Sequence, residues 1–396
     1  MITKFSVASF KSLEKAEIDL GHLNVFVGAN GSGKSNLLEA IGVLSAAADG
    51  KVNDQTLLQR GVRPGVPKLY KSAFPSSGNR QLSHIYFSAS SEHAHYDVSL
   101  NNPMINPSPS WRFKTELFER GSAKLTSRGP NMRNNPNTEI GLAALKAVEL
   151  REDDAALDLI RRLQNYVIYS PTTPVLRGVA PETQPRQPIG LSGGRLPDAV
   201  HELLVGRSQN EPARKVCNEA LDLIDWAKSY GSAEASNLLL SPAAGSSQKA
   251  IRFVDKYMKP GRNVLSGYDA SEGALFVLFL AVLAAHPKTP SFCAVDNADH
   301  GVNPGLATVL MKHFADWILR SKDVRQVLMT SHNPAVLDGL PLQDDRVRLF
   351  AVDRDNRGKT IVRRVVVNEK LLGMAAKGWT LSRMWMNKII GGMPSV

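Results

Sequence analysis

One run constrains this chain more than any other: Gly28-Ala29-Asn30-Gly31-Ser32-Gly33-Lys34-Ser35. It fills the pattern G-x-x-x-x-G-K-[ST], and its flanks have the form that pattern needs. Before it, Leu23–Val27 is a short apolar run bounded by turn residues, which reads as a buried strand. After it, residues 36–44 carry apolar side chains at helical spacing. Strand, glycine-rich turn and helix N-terminus make an anion site, because unpaired backbone N–H groups and the helix dipole face one point. The residues expected to hold a nucleoside triphosphate here are Gly28, Asn30, Gly31, Gly33, Lys34, Ser35 and Asn36. Lys34 would reach the β- and γ-phosphates, and the Ser35 hydroxyl would ligate Mg2+.

With 396 residues, 43% of them hydrophobic and 21% charged, the chain has an ordinary globular composition and can bury a sizeable core. Its formal charge of +11 suggests acidic partners, nucleic acid first, although a solvated basic face explains it as well. The two cysteines, Cys217 and Cys293, have no metal spacing and fit a reducing compartment. The longest apolar run, 274–285, is too short to cross a bilayer, so a cytoplasmic protein with no membrane partner is expected.

Along the chain, residues 2–9 and 16–20 read as strands that lead into the phosphate loop, and a helix runs on to Ala48. Residues 84–89 and 95–100 read as a hairpin continued by 111–118. Residues 129–137 read as loop, 139–166 as two helices, 170–197 as a Pro-rich passage, then 198–204 and 212–230 as helices. No heptad pattern is sustained, so no long coiled coil is expected. The expected division is 1–50 for the first part of an ATPase head, 51–245 for an inserted β-hairpin and helical lobe, 246–370 for the second part of the head, and 371–396 for a tail. That tail, rich in Trp, Met and basic residues, reads equally as a last helix packed on its own domain or as a docking segment.

Some phosphate-loop ATPases complete their site with a second glycine-rich turn from a partner subunit, and two stretches offer one. Leu191-Ser192-Gly193-Gly194-Arg195 lies in the Pro-rich passage, about a hundred residues before the next catalytic strand. Ala270-Ser271-Glu272-Gly273 instead opens a strongly apolar helix, which again has the physics of an anion-binding N-terminus. Ser271 and Gly273 are therefore assigned this role. The following run, 291–296, ends in Asp296, placed to hold Mg2+ at the C-terminal end of a parallel strand. Glutamate normally comes next, but here Asn297 stands there; a carboxamide orients water without taking its proton, at a cost on the order of 10²–10⁴ in rate. Three readings stay open: slow hydrolysis, competent hydrolysis through Asp299 or His300, and binding alone. His332, after the strand 326–330, is placed to touch a γ-phosphate and sense its loss.

With these residues placed, the chain resembles the OLD-like, AAA-labelled ATPases of the ABC/SMC/RecF superclass found in bacterial defence systems. Phe10-Lys11-Ser12-Leu13, the phosphate loop, Ser271-Glu272-Gly273, the stretch from Asp296 to Pro304 and that from Thr330 to Pro334 carry the likeness. Where that family has D-E-P-E-x-G-L-H-P, this chain reads Asp296-Asn297-Ala298-Asp299-His300-Gly301-Val302-Asn303-Pro304. The resemblance implies an α/β P-loop fold of ABC/SMC-head type, with a mixed central sheet flanked by helices and a compact inserted α/β lobe. It also implies an ATP-sandwich homodimer and a separate effector, often a nuclease. The candidate catalytic residues read from the chain itself are Asn297, Asp299 and His332, with Ser35 and Asp296 on the metal. A RecF-like DNA-repair ATPase is the alternative.

Overall fold

Apolar runs separated by turns pair into three sheets in the computed structural model, which describes residues 1–74, 84–129, 137–206, 210–240, 248–321 and 323–392. In chain order the strands are β1 (Lys4–Phe10), β2 (Leu13–Asp19), β3 (Leu23–Val27), β4 (His84–Ser90), β5 (Ala94–Asn101), β6 (Arg112–Arg120), β7 (Ala123–Arg128), β8 (Ile168–Tyr169), β9 (Ala227–Glu234), β10 (Lys249–Asp255), β11 (Val264–Ser266), β12 (Phe292–Val295), β13 (Gln326–Ser331), β14 (Val347–Arg354) and β15 (Thr360–Val365).

The central sheet has the order β15-β14-β3-β13-β12-β8. Its members from β14 to β8 run parallel, and β15 turns back antiparallel on β14. β3, β12 and β13 are buried along their length, because helices cover both faces of a parallel sheet. Side chains alternate across it. Val25, Val27, Val295 and Met329 enter one core cluster, while Phe26, Ala294, Leu328 and Phe350 enter the other. Parallel strands share one C-terminal rim, and the phosphate loop, Asp296 and His332 all leave from it, as ligand-binding loops of α/β sheets do.

The phosphate-loop helix, Lys34–Ala48, covers one face and is buried almost all round. Against it lies the second sheet, β2-β1-β4-β5-β6-β7, antiparallel throughout. The hairpin expected in an inserted lobe therefore extends the N-terminal strands: β4 pairs with β1 from Lys4↔Ser90 to Ala8↔Tyr86, and the sheet crosses the boundary drawn after residue 50. Helices Glu272–Ala285 and Pro304–Arg320 cover the opposite face, the first buried from Ala274 to Ala284. The helix expected over 212–230 ends at Leu223, and residues 227–234 form β9 in a third sheet, β11-β10-β9. Helical spacing gives way there to pairing with β10, and Trp226 packs on Phe253 at 5.1 Å between ring centres.

Among the described residues the longest helix is Pro304–Arg320, 17 residues, so no long coiled coil is present; none is long and apolar enough to cross a membrane. The tail packs on its own body: Met384 and Trp385 are buried, and Ser382 donates its N–H to Asp338 Oδ1 at 2.8 Å and its hydroxyl to Oδ2 at 2.6 Å. Most of the loop expected over 129–137 lies outside the described residues, as does the chain beyond Gly392.

Candidate functional site

β3 runs straight into the glycine turn. A side chain at Gly28 would meet Val352 O at 2.2 Å, and one at Gly33 would meet Thr360 Oγ1 at 2.2 Å. Gly33 also has φ 110°, a left-handed backbone that suits glycine, and it stands at the N-cap of Lys34–Ala48 without a side-chain cap. The first helical amides thus lack the usual capping oxygen. The last hairpin, β14–β15, clamps the turn from outside. Arg354 Nε donates to Gly31 O at 2.8 Å, and the Thr360 hydroxyl lies 2.7 Å from Ser32 O and 2.8 Å from Ser12 Oγ. Asn36 Nδ2 donates to that same Ser12 Oγ at 2.7 Å. Inside the turn, Ser32 Oγ is buried with no partner; Asn30 and Gly31 are exposed.

Lys34 folds back over this turn. Its Nζ donates to Gly28 O at 2.7 Å and Ala29 O at 3.0 Å, and stands 3.5 Å from His332 Nδ1. Burial pulls the Lys34 pKa down to about 8 against the opposing charges of Asp296 and Asp299. Burial, then the Lys34 charge, holds the His332 imidazole below its ordinary value.

Asp296 lies at the end of β12, with Ser35 Oγ donating to its Oδ1 at 3.2 Å and Thr330 Oγ1 donating to the same atom at 2.5 Å. Asn297 follows, exposed and left-handed at φ 55°, a conformation asparagine tolerates better than most residues. Asp299 faces the next strand end instead of solvent: its Oδ2 accepts the N–H of His332 at 3.1 Å and of Asn333 at 2.6 Å, and its Oδ1 is buried without a partner. Lys34, Ser35, Asp296, Asp299 and His332 are thus brought together from three strand ends.

Ser271 stands elsewhere, exposed at the N-cap of Glu272–Ala285, its hydroxyl accepting Ala274 N at 3.4 Å. Glu272 lies 3.8 Å from His300, and a side chain at Gly273 would touch Leu306 at 3.0 Å, so this turn sits against the loop after Asp296. The other glycine turn has its amides filled. Glu182 Oε2 accepts Ser192 N and Gly194 N, each at 3.0 Å.

Two features escaped the sequence reading. Glu39, one helical turn past Ser35 and 3% exposed, takes the Lys11 ammonium and Arg63 Nε, the latter at 2.5 Å. Arg63 keeps its side chain 70% exposed. Its pKa is raised by the Glu39 hydrogen bond first and by Asp296 among lesser charges, which puts its guanidinium within the field of the site. The helical spacing of Ser35 and Glu39 was the available signal. The other is Thr330, hidden inside an apolar strand.

Residues 1–90 match the AAA ATPase domain family. A stretch of 67 residues is 37% identical to the DNA replication and repair protein RecF of Leifsonia xyli subsp. xyli (strain CTCB07), covering 16% of this chain and 17% of that protein's length. Among solved structures the chain is similar to an SMC head bound to the C-winged helix domain of ScpA, with TM-score 0.52, 14% identity, and 92% and 98% of the two chains covered. It is also similar to the SMC head domain from Thermotoga maritima, with TM-score 0.46, 15% identity, and 92% and 99% covered. A third is the Smc head with an extended coiled coil from Pyrococcus furiosus, with TM-score 0.47, 12% identity, and 95% and 98% covered. The fold is that of an SMC-head-like P-loop ATPase, here without a long coiled coil among the described residues.

Proposed function

We propose that this protein is an ATP-binding, slowly hydrolysing switch ATPase of SMC/RecF type whose ATP-dependent dimerisation regulates a separate effector. A nuclease in antiviral defence is the effector class that the family resemblance implies. One observation carries the reading: Lys34, Ser35, Asp296 and His332 converge at one rim beside a glycine cradle, while Ser271 stands exposed at the N-cap of its apolar helix.

The donors fit Mg2+ and a polyphosphate. Ser35 Oγ and Asp296 Oδ1 are hard oxygens 3.2 Å apart, and the orphaned Ser32 hydroxyl and uncapped helix amides await an acceptor. When bound, the ion would neutralise phosphate charge. Lys34 would exchange the carbonyls of Gly28 and Ala29 for phosphate oxygens. Asn297 would orient water without taking its proton, which makes turnover slow. His332, neutral and beside Lys34, would report the γ-phosphate. Ser271 and Gly273 of a second copy would cap the nucleotide with their helix N-terminus.

The test is molecular mass by light scattering. ATP with Mg2+ is expected to convert monomer to dimer, and Lys34→Ala and Ser271→Arg to prevent it. A wild-type mass that ATP leaves unchanged removes the reading. The alternative, a RecF-like ATPase clamping DNA, draws on the +11 charge and the RecF-like stretch. It requires ATP-dependent retention of duplex DNA that weakens steeply with salt.

A further inference from the structure

Thr330 is fully buried in the apolar strand β13. Alternation puts it on the face of Leu328, and puts Asp296 on the face of Ala294, the face that the phosphate-loop helix covers. The side chain therefore reaches across to the end of β12. A hydroxyl has one proton to give, and here it goes to Asp296 Oδ1 at 2.5 Å. The Thr330 Oγ1 itself accepts Asn297 N at 2.8 Å, and Thr330 O accepts Ala298 N at 3.0 Å. One residue thus fixes both the carboxylate of Asp296 and the left-handed turn at Asn297, whose φ is 55°. Ser35 converges on the same carboxylate oxygen at 3.2 Å. Neighbouring Ser331 cannot stand in, because it points to the opposite face and accepts Asn333 N at 3.1 Å.

We propose that Thr330 is a positioning residue of the Mg2+–nucleotide site, orienting Asp296 toward the ion that Ser35 and Asp296 would share. The inference rests on the reading of residues 28–36 and Asp296 as that site. Thr330 needs no contact with nucleotide or water; it acts through the two residues it holds. Groups that orient a metal ligand commonly change metal affinity by about 10–100-fold when removed. An isosteric Thr330→Val keeps the shape, frees the carboxylate to rotate and leaves the Asn297 amide without its acceptor.

The experiment titrates a fluorescent ATP analogue into the full chain, wild type and Thr330→Val, in Mg2+ and in EDTA. Mn2+ affinity, read by electron paramagnetic resonance with nucleotide present, is measured in parallel. Thr330→Val is expected to lose about tenfold or more in Mn2+ affinity and in the affinity gain that Mg2+ brings, with its EDTA affinity unchanged. Thr330→Ser is expected to restore both. Wild-type behaviour in Thr330→Val, or equal losses in Mg2+ and EDTA, overturns the proposal. Should circular dichroism find Thr330→Val unfolded, Thr330→Ala is read by the same criteria, and unfolding of both variants with Thr330→Ser wild-type in stability but not in Mn2+ affinity also overturns it. A wild type that binds no nucleotide in Mg2+ overturns the site reading itself.

Discussion

The carboxylate of Asp299 accepts the backbone N–H of Asn333 at 2.6 Å, and so ties the turn after β12 to the turn that carries His332. The same oxygen takes His332 N at 3.1 Å. Asp299 therefore works first as a clamp between the Asp296 turn and the histidine loop, a task different from the proton transfer its position in sequence suggested.

Asp299→Ala is expected to lower stability by about 2 kcal/mol, the scale of hydrogen bonds to a charged group. Urea unfolding measures it. Asp299→Asn keeps an acceptor and should recover much of the loss; an alanine variant with an unshifted midpoint would deny the clamp.

Asn297→Glu is expected to raise ATP turnover by about tenfold or more, since it supplies a base where a carboxamide stands. The gain is held down by the left-handed backbone at φ 55°, which costs a glutamate roughly 1–2 kcal/mol. A steady-state phosphate-release assay decides, and an unchanged rate would point to another base.

Lys34 carries a pKa lowered by burial to about 8. Between that value and the ordinary lysine value the unfolded chain binds more protons than the folded one, so this group makes stability rise with pH across that window. Phosphate oxygens would favour the charged ammonium again. ATP binding at pH 9 is therefore expected to take up a proton, and binding at pH 7 to take up none at Lys34. Calorimetry in buffers of different ionisation enthalpy reads the difference, and Lys34→Met should abolish it.

Glu39, 3% exposed, holds both Lys11 and Arg63. Glu39→Ala leaves the Lys11 ammonium, whose pKa burial already lowers, without its carboxylate, and is expected to cost about 3 kcal/mol in chemical denaturation. Arg63→Ala should cost much less stability, since that side chain is 70% exposed, and should instead weaken nucleotide binding severalfold. Equal stability losses in the two variants would contradict this division.

Local pattern carried much of the fold. Leu23–Val27, the phosphate-loop helix, β12 and β13 lie where their apolar spacing and turn residues put them. Asp355 opens the turn after β14, its Oδ1 accepting Arg357 N at 2.9 Å and Lys359 N at 2.8 Å. β9 was read as helix because its partner, β10, lies beyond residue 247, and nothing in residues 227–234 records that pairing. β4 joined β1 for the same reason.

By itself the sequence determined the glycine cradle, Lys34 and Ser35 at a helix start, a carboxylate ending an apolar strand, and a serine–glycine turn opening an apolar helix. Each is a feature of neighbouring residues, whose spacing the covalent chain sets directly. Only the tertiary structure decided that Glu182 fills the amides of the other glycine turn, that Asp299 braces the histidine loop, and that Thr330 points at Asp296. Those contacts join residues far apart in the chain, and they form only once strand order and sheet face have been chosen by burial of the whole core.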